Sequence, residues 1–146
     1  MKLTLLVIGI LLLLTLISKE DCPCNRIHHP GRLIILDSSK TLYGRVEKVE
    51  SDIDGDVHIQ LRIKNNSLLV KNNYKDENGC MVGEIVCAAP SIFPICWFYK
   101  NKIIIPTEGD SIEIEGPYVF DKTHGITEIH PIMNLKIKHK NNEKIN

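Results

Sequence analysis

The chain has 146 residues, and its 18 Lys and Arg balance 18 Asp and Glu, leaving no net charge with histidine neutral. That balance argues against a dedicated nucleic-acid binder, whose affinity would come largely from cation–phosphate contacts. Without the first 18 residues, 128 remain with 17 basic groups against 18 acidic ones, enough for one domain with a modest core.

In chain order, Lys2 precedes an apolar run from Leu3 to Ile17, and Ser18-Lys19-Glu20-Asp21 follows it. The run is shorter than the roughly 20 residues of a spanning helix, and its positive-then-apolar layout is that of an export signal. Ser18 offers a small residue for cleavage, but Leu16 is a poor partner two positions earlier, so residues 1–18 are read as a signal peptide or a membrane anchor. Either way the charges flanking the run place the domain outside, extracellular or anchored. Lys19-Glu20-Asp21 before Cys22 form no lipobox.

Residues 19–40 read as a linker containing Cys22, Cys24, His28 and His29. Five cysteines in an exported chain suggest disulfides, and their odd number leaves one thiol over. Cys87 with Cys96 would close a short loop, and Cys80 could then reach Cys22 or Cys24. A zinc site at Cys22, Cys24, His28 and His29 is the rival, although their spacing meets no usual ligand pattern.

Residues 41–134 read as strands. Thr41 to Val49 forms the first, and Ser51-Asp52-Ile53-Asp54-Gly55 supplies a hairpin turn. Val57, Ile59, Leu61 and Ile63 then alternate with Asp56, His58, Gln60 and Arg62, a period of two that buries one face. Ser67 to Val70 and Met81 to Val86 are further apolar segments, with a polar loop over 71–79 between them. Pro90 to Tyr99 holds two prolines, the only Trp and several other aromatics, and is expected to be an ordered loop capping the barrel with its apolar groups; contact with a partner or a membrane surface is the alternative. Glu108-Gly109-Asp110 turns the chain into Ile112 to Glu115. Gly116-Pro117 interrupts, Tyr118 to Phe120 resumes, and a last strand runs from Ile126 to about Ile132. Residues 135–146 read as a basic, disordered tail. No helical period is convincing in the domain, so the fold class is all-β, a small barrel of five or six strands.

Thr41-Leu42-Tyr43-Gly44-Arg45-Val46 and Gly109-Asp110-Ser111-Ile112-Glu113-Ile114-Glu115-Gly116 look like the first and fourth strands of an OB-fold barrel. Together D-G-D-x-H at 54–58 and H-G-x-x-E-I-H-P at 124–131 resemble a group of uncharacterised exported prokaryotic OB-like domains. The resemblance spans roughly Thr41 to Met133 and implies a binding fold for oligonucleotides, oligosaccharides or proteins, without choosing among them.

The same motifs hold the candidate site. Glu128 and His130 lie about 6.6 Å apart on one face of a strand, close enough to share an ion, whereas His124 is about 13 Å from Glu128. His58 or Asp56 from the hairpin would supply a third ligand; His58, Glu128 and His130 are the metal candidates, with Asp56, Glu84 and His124 around them and zinc or another divalent metal as the cofactor. Glu84 sits on an apolar strand and would need a partner if buried, and His124 is expected to bond to Asp121. Asp52, Asp54 and Asp56 fail the EF-hand spacing and read as a solvated turn. The leading functional expectation is an extracytoplasmic OB-like binding or interaction domain for an unknown ligand or protein, with the histidine–carboxylate cluster bracing the barrel. A metal-binding domain and a metal-assisted hydrolase, with Glu128 as general base, are the alternatives. No nucleophile motif supports the last.

Overall fold

The computed structural model describes residues 23–138. The apolar run, Cys22 and the last lysines of the tail lie outside the described residues. Six strands form one mixed sheet: β1 (Leu33–Ser51), β2 (Val57–Ile63), β3 (Met81–Ile85), β4 (Ser111–Asp121), β5 (Ile126–Ile129) and β6 (Asn134–Lys138). Their order is β1-β2-β3-β5-β4-β6, and an additional β1–β4 pairing closes the first five into a near-ring. All pairings are antiparallel except β3 with β5. Among the described residues no helix is long and apolar enough to cross a membrane.

Closure depends on β1 serving two neighbours. Its 19 residues would extend about 60 Å if straight, longer than a small domain. The strand instead pairs its first part with β4 and its last part with β2, and irregularities between Ile35 and Asp37 and between Asp37 and Lys40 break its regularity. Such bulges bend a strand and increase its twist. Gly44 sits where both neighbours are paired, opposite Ile63 on one side and Ile112 on the other. A Cβ there would lie 2.6 Å from both Arg62 O and Leu61 Cγ, so only glycine lets the chains approach this closely.

The alternation in β2 becomes the core wall: Val57, Ile59 and Leu61 have no exposed surface, and Met81, Ile85, Ile112, Ile114, Ile129 and Ile132 complete the buried cluster. A helix, α1 (Lys71–Asp76), occupies the stretch expected to be a loop. Six residues are too few to be helical on their own, and tertiary bonds hold this one. Buried Asn73 donates through Nδ2 to Cys80 O (3.1 Å) and Thr127 O (2.9 Å), while its Oδ1 accepts from Thr127 N–H at 2.9 Å. One amide thereby ties the start of β3 to β5.

Several boundaries move. The linker expected over 19–40 surrenders its end to β1, because Leu33 to Asp37 find backbone partners in Tyr118 to Asp121. The tail expected from 135 begins as β6, paired with Ser111 to Glu115. Gly116-Pro117 does not split its strand, since β4 runs unbroken through both. Ser67 to Val70 supplies a 3-10 turn, Asn66–Leu68, rather than a strand. Cys87 and Cys96 are joined in a disulfide. Cys80 is a buried free thiol, which corrects the expected bridge from it to Cys22 or Cys24. Cys24 is disulfide-bonded and so offers no thiolate to the zinc site considered with His28 and His29.

Candidate metal centre

Gly83 fixes the direction of its neighbours. A Cβ on it would point at Ile132 and Ile114 in the core, so Glu84, next along β3, faces the other side. His58 is its register partner on β2, and Glu128 on β5 pairs with Val82 of the same parity. The sheet therefore carries His58, Glu84 and Glu128 on the face turned away from the barrel core. His130 joins them one residue beyond the end of β5, and Arg32 reaches the group from the 3-10 turn Pro30–Arg32.

These side chains form one polar network. His130 Nδ1 lies 2.8 Å from Glu84 Oε2 and 3.1 Å from Glu128 Oε1. His58 Nε2 approaches Glu84 Oε1 at 3.3 Å, and Arg32 spans Glu84 at 3.8 Å and Asp121 at 3.0 Å. Glu84, Glu128 and His130 are buried, whereas the His58 side chain is 35% exposed and forms the open edge of the group. Asp56 enters from the end of the hairpin turn, buried, with its Oδ1 accepting from Cys87 N–H at 2.8 Å.

Ligand atoms of Asp56, Glu84 and His130 all lie within 4.8 Å of one another. The triad expected from the sequence was His58, Glu128 and His130, so the grouping shifts: Asp56 and Glu84 gather with His130, while His58 bonds to Glu84 and Glu128 bonds to His130. Asp56, Cys87 and Cys96 also lie this close, but the sulfurs are bonded to each other. His124 stands apart and half exposed, with Nδ1 2.9 Å from Asp121 Oδ2. It reaches the group only through Asp121 and Arg32. The other turn carboxylates serve the backbone, Asp52 accepting from Ile53 N–H and Asp54 from Asp56 N–H. Arg32 had no part in the site expected from the sequence, because it falls in the stretch read as linker, and Asp121 entered only as the expected partner of His124, which it is.

Burial and charge divide the protons unequally. Burial alone would raise the Glu84 carboxyl, but hydrogen bonding and charge from His130, with His58 and Arg32 beyond, bring it down to about 2. Burial alone would lower His130, yet its bonds to Glu128 and Glu84 raise it to about 10. Burial raises Glu128 despite the bond from His130. It also lifts Asp56 to about 7, the Cys87 N–H opposing and Asp54 and Glu84 reinforcing. Of the buried atoms in this group that make no hydrogen bond, Glu84 Oε2 and Arg32 Nε have ion-pair contacts, whereas His130 Nε2 and Glu128 Oε2 have neither, unusual in a packed interior.

Asp56 carries a testable consequence. Its folded pKa lies above the ordinary 3.8, so its contribution is present at acid pH and lost as pH rises from there through about 7. Asp56→Asn keeps an acceptor for Cys87 N–H and removes the ionisation. In chelator, the variant is expected to be more stable than wild type above pH 7, on the order of 2 kcal/mol, with the advantage vanishing near pH 4. Urea titrations at the two pH values measure this, and equal midpoints at pH 8 would refute it.

Neither a family model, nor a curated protein, nor a solved structure matches the chain.

Proposed function

We propose that the protein is an extracytoplasmic domain of OB-like topology that binds one divalent cation, zinc by preference, through Asp56, Glu84 and His130. The convergence of those three ligand atoms within 4.8 Å on a buried face carries the proposal. Imidazole nitrogen and carboxylate oxygen are zinc ligands at about 2.0–2.2 Å, and three protein ligands leave a fourth position open. The unpartnered His130 Nε2 and Glu128 Oε2 are the polar remainder that an ion, or a water on it, would satisfy. His58 at the exposed edge marks the route in. Three features support the OB-like topology: ring order β1-β2-β3-β5-β4, a parallel β3–β5 pair, and a β1 shared between β2 and β4. A disulfide between Cys87 and Cys96 favours an oxidising compartment. Asp56, His58, Glu128 and His130 of the two motifs that resemble exported OB-like domains take part in this group, whereas His124 is linked to it only through Asp121 and Arg32.

A second reading has its own observation. Arg32 and His130 already neutralise carboxylates in the group, so the cluster can brace the barrel without an ion and leave the domain to bind an unknown ligand elsewhere. The hydrolase alternative is less well served, because Glu128 is fully buried and out of reach of a substrate.

Elemental analysis and zinc titration calorimetry of the dialysed protein separate the first two. One zinc per chain is expected, with affinity increasing with pH because His130 must release its proton. Zinc at 100 times its dissociation constant should add about 2.7 kcal/mol of stability, and Glu84→Gln should lose both effects. A metal-free protein whose melting temperature ignores zinc and chelator alike would leave only the brace.

A further inference from the structure

From Val86 to Thr107 the chain contains no Asp or Glu, yet it holds the only Trp, two of the three Phe, Tyr99 and five isoleucines, with Lys100 and Lys102 among them. The sequence suggested that these apolar groups cap the barrel. Only some do: Ala88, Ala89 and Ile103 pack against the core, and Phe93 lies against the His28 ring at 4.6 Å. Phe98 is 96% exposed, Trp97 60%, Ile104 72% and Ile92 66%.

This outward display is built, not frayed. The Cys87–Cys96 disulfide closes the first part of the loop, and Asn101 holds the second, its N–H donating to Cys87 O (3.1 Å) and its Nδ2 to Val86 O (3.0 Å). Arg26 further clamps it by donating to Ile95 O at 2.9 Å. Phe98, Ile104 and Met133 line a groove of about 930 Å³ whose rim carries Lys100 and Lys102 and no carboxylate. Both lysines are exposed and have no ion-pair partner among the described residues.

We propose that this loop docks on the headgroup region of an anionic lipid bilayer. Trp97 and Phe98 enter the boundary between headgroups and acyl chains, where aromatic rings are favoured, and Lys100 and Lys102 meet the lipid phosphates. Charge complementarity selects this occupant. A second copy of the chain would cover the aromatics but leave two unpaired cations at the contact. The covalent geometry agrees: Pro23 lines the same groove, and the apolar run ends at Ile17, at most about 20 Å of extended chain away. A run held in a bilayer would bring this face toward the same surface.

Trp97, as the only Trp, is a built-in reporter. The full chain is reconstituted with vesicles of phosphatidylcholine containing phosphatidylglycerol, with either ordinary or brominated acyl chains. The expected result is a blue-shifted Trp97 emission, at least twofold quenching by the brominated lipid, and at least twofold protection from acrylamide. Phe98→Asp with Ile104→Asp should abolish these changes while near-ultraviolet dichroism shows the fold retained, and Lys100→Glu with Lys102→Glu should weaken them on anionic vesicles only. Because the reading is taken at Trp97, membrane attachment through the N-terminal run alone does not produce it. Equal acrylamide access with and without vesicles would overturn the proposal. A blue shift that follows protein concentration rather than lipid would overturn it in favour of self-association.

Discussion

Replacing His130 by alanine is expected to destabilise the domain by about 3–5 kcal/mol at neutral pH, the range for breaking a buried ion pair from one side. The ring approaches Glu84 at 2.8 Å and Glu128 at 3.1 Å, and nothing else in the interior supplies its positive charge at that point. Arg32 is 3.8 Å from Glu84 on the other side. Against a total stability of roughly 5–15 kcal/mol for a domain, the loss is a large fraction of the whole. The pH dependence identifies the cause. His130 titrates at about 10 in the folded state against an ordinary 6.5, so its contribution is complete below 6.5 and lost as pH rises through 10. Glu84 titrates at about 2 against 4.5, so its contribution is complete above 4.5 and lost as pH falls through 2. The His130–Glu84 contribution should thus be constant between those ordinary values, superimposed on the fall that Asp56 adds across the same range, and the variant should lack it, its deficit shrinking toward pH 4 as carboxylates protonate. Adding Glu84→Gln to His130→Ala should recover part of the loss, since the double variant no longer buries an unpaired charge there. Chemical denaturation of the four proteins at pH 4 and pH 7 measures both effects. Strict additivity of the two substitutions would remove the ion pair from the account.

Gly116→Ala is the second large effect, about 3 kcal/mol or more. A Cβ at this position in β4 would lie 2.2 Å from Pro131 O and 2.9 Å from Ile129 Cγ2. The first contact is with backbone, which cannot swing aside as a flexible side chain could. Relief requires moving the chain that follows β5, and Pro131 adjoins His130. Thermal stability and zinc affinity are therefore expected to fall together. Gly31→Ala is the control, since nothing lies within 4 Å of a Cβ there. Thermal melts and zinc titrations of both variants check the coupling; a Gly116→Ala protein that melts like wild type would show that β4 and β5 can separate without cost.

The site was half legible in advance for a chemical reason. Glu84 stood out because an acid between Val82 and Val86 on an apolar strand demands a partner when buried, and its partners are His58, His130 and Arg32. His130 was marked by its spacing from Glu128. Asp56 read both as a candidate ligand and as a solvated turn acid; a hydrogen bond from Cys87 N–H draws it into the interior. Arg32 carried no local mark at all. The same division runs through the fold. The alternation Val57, Ile59, Leu61, Ile63 identifies β2 by itself, whereas α1 exists because Asn73 finds Thr127 and Cys80, and β6 because Ser111 to Glu115 present a free edge.

Side-chain alternation, turn residues and the charge balance are properties of neighbouring residues, so the β character, the hairpin turn and the candidate histidines and acids were determined by the sequence itself. Which strands meet is decided by pairing across distant segments, closed by β1 lying against β4. Pairing of β3 with β2 and β5, with the Cys87 N–H bond to Asp56, sets Asp56, Glu84 and His130 within 4.8 Å of one another, and the Cys87–Cys96 disulfide with the Asn101 bonds holds the loop that carries Trp97 and Phe98, because both results depend on residues brought together through space rather than along the chain.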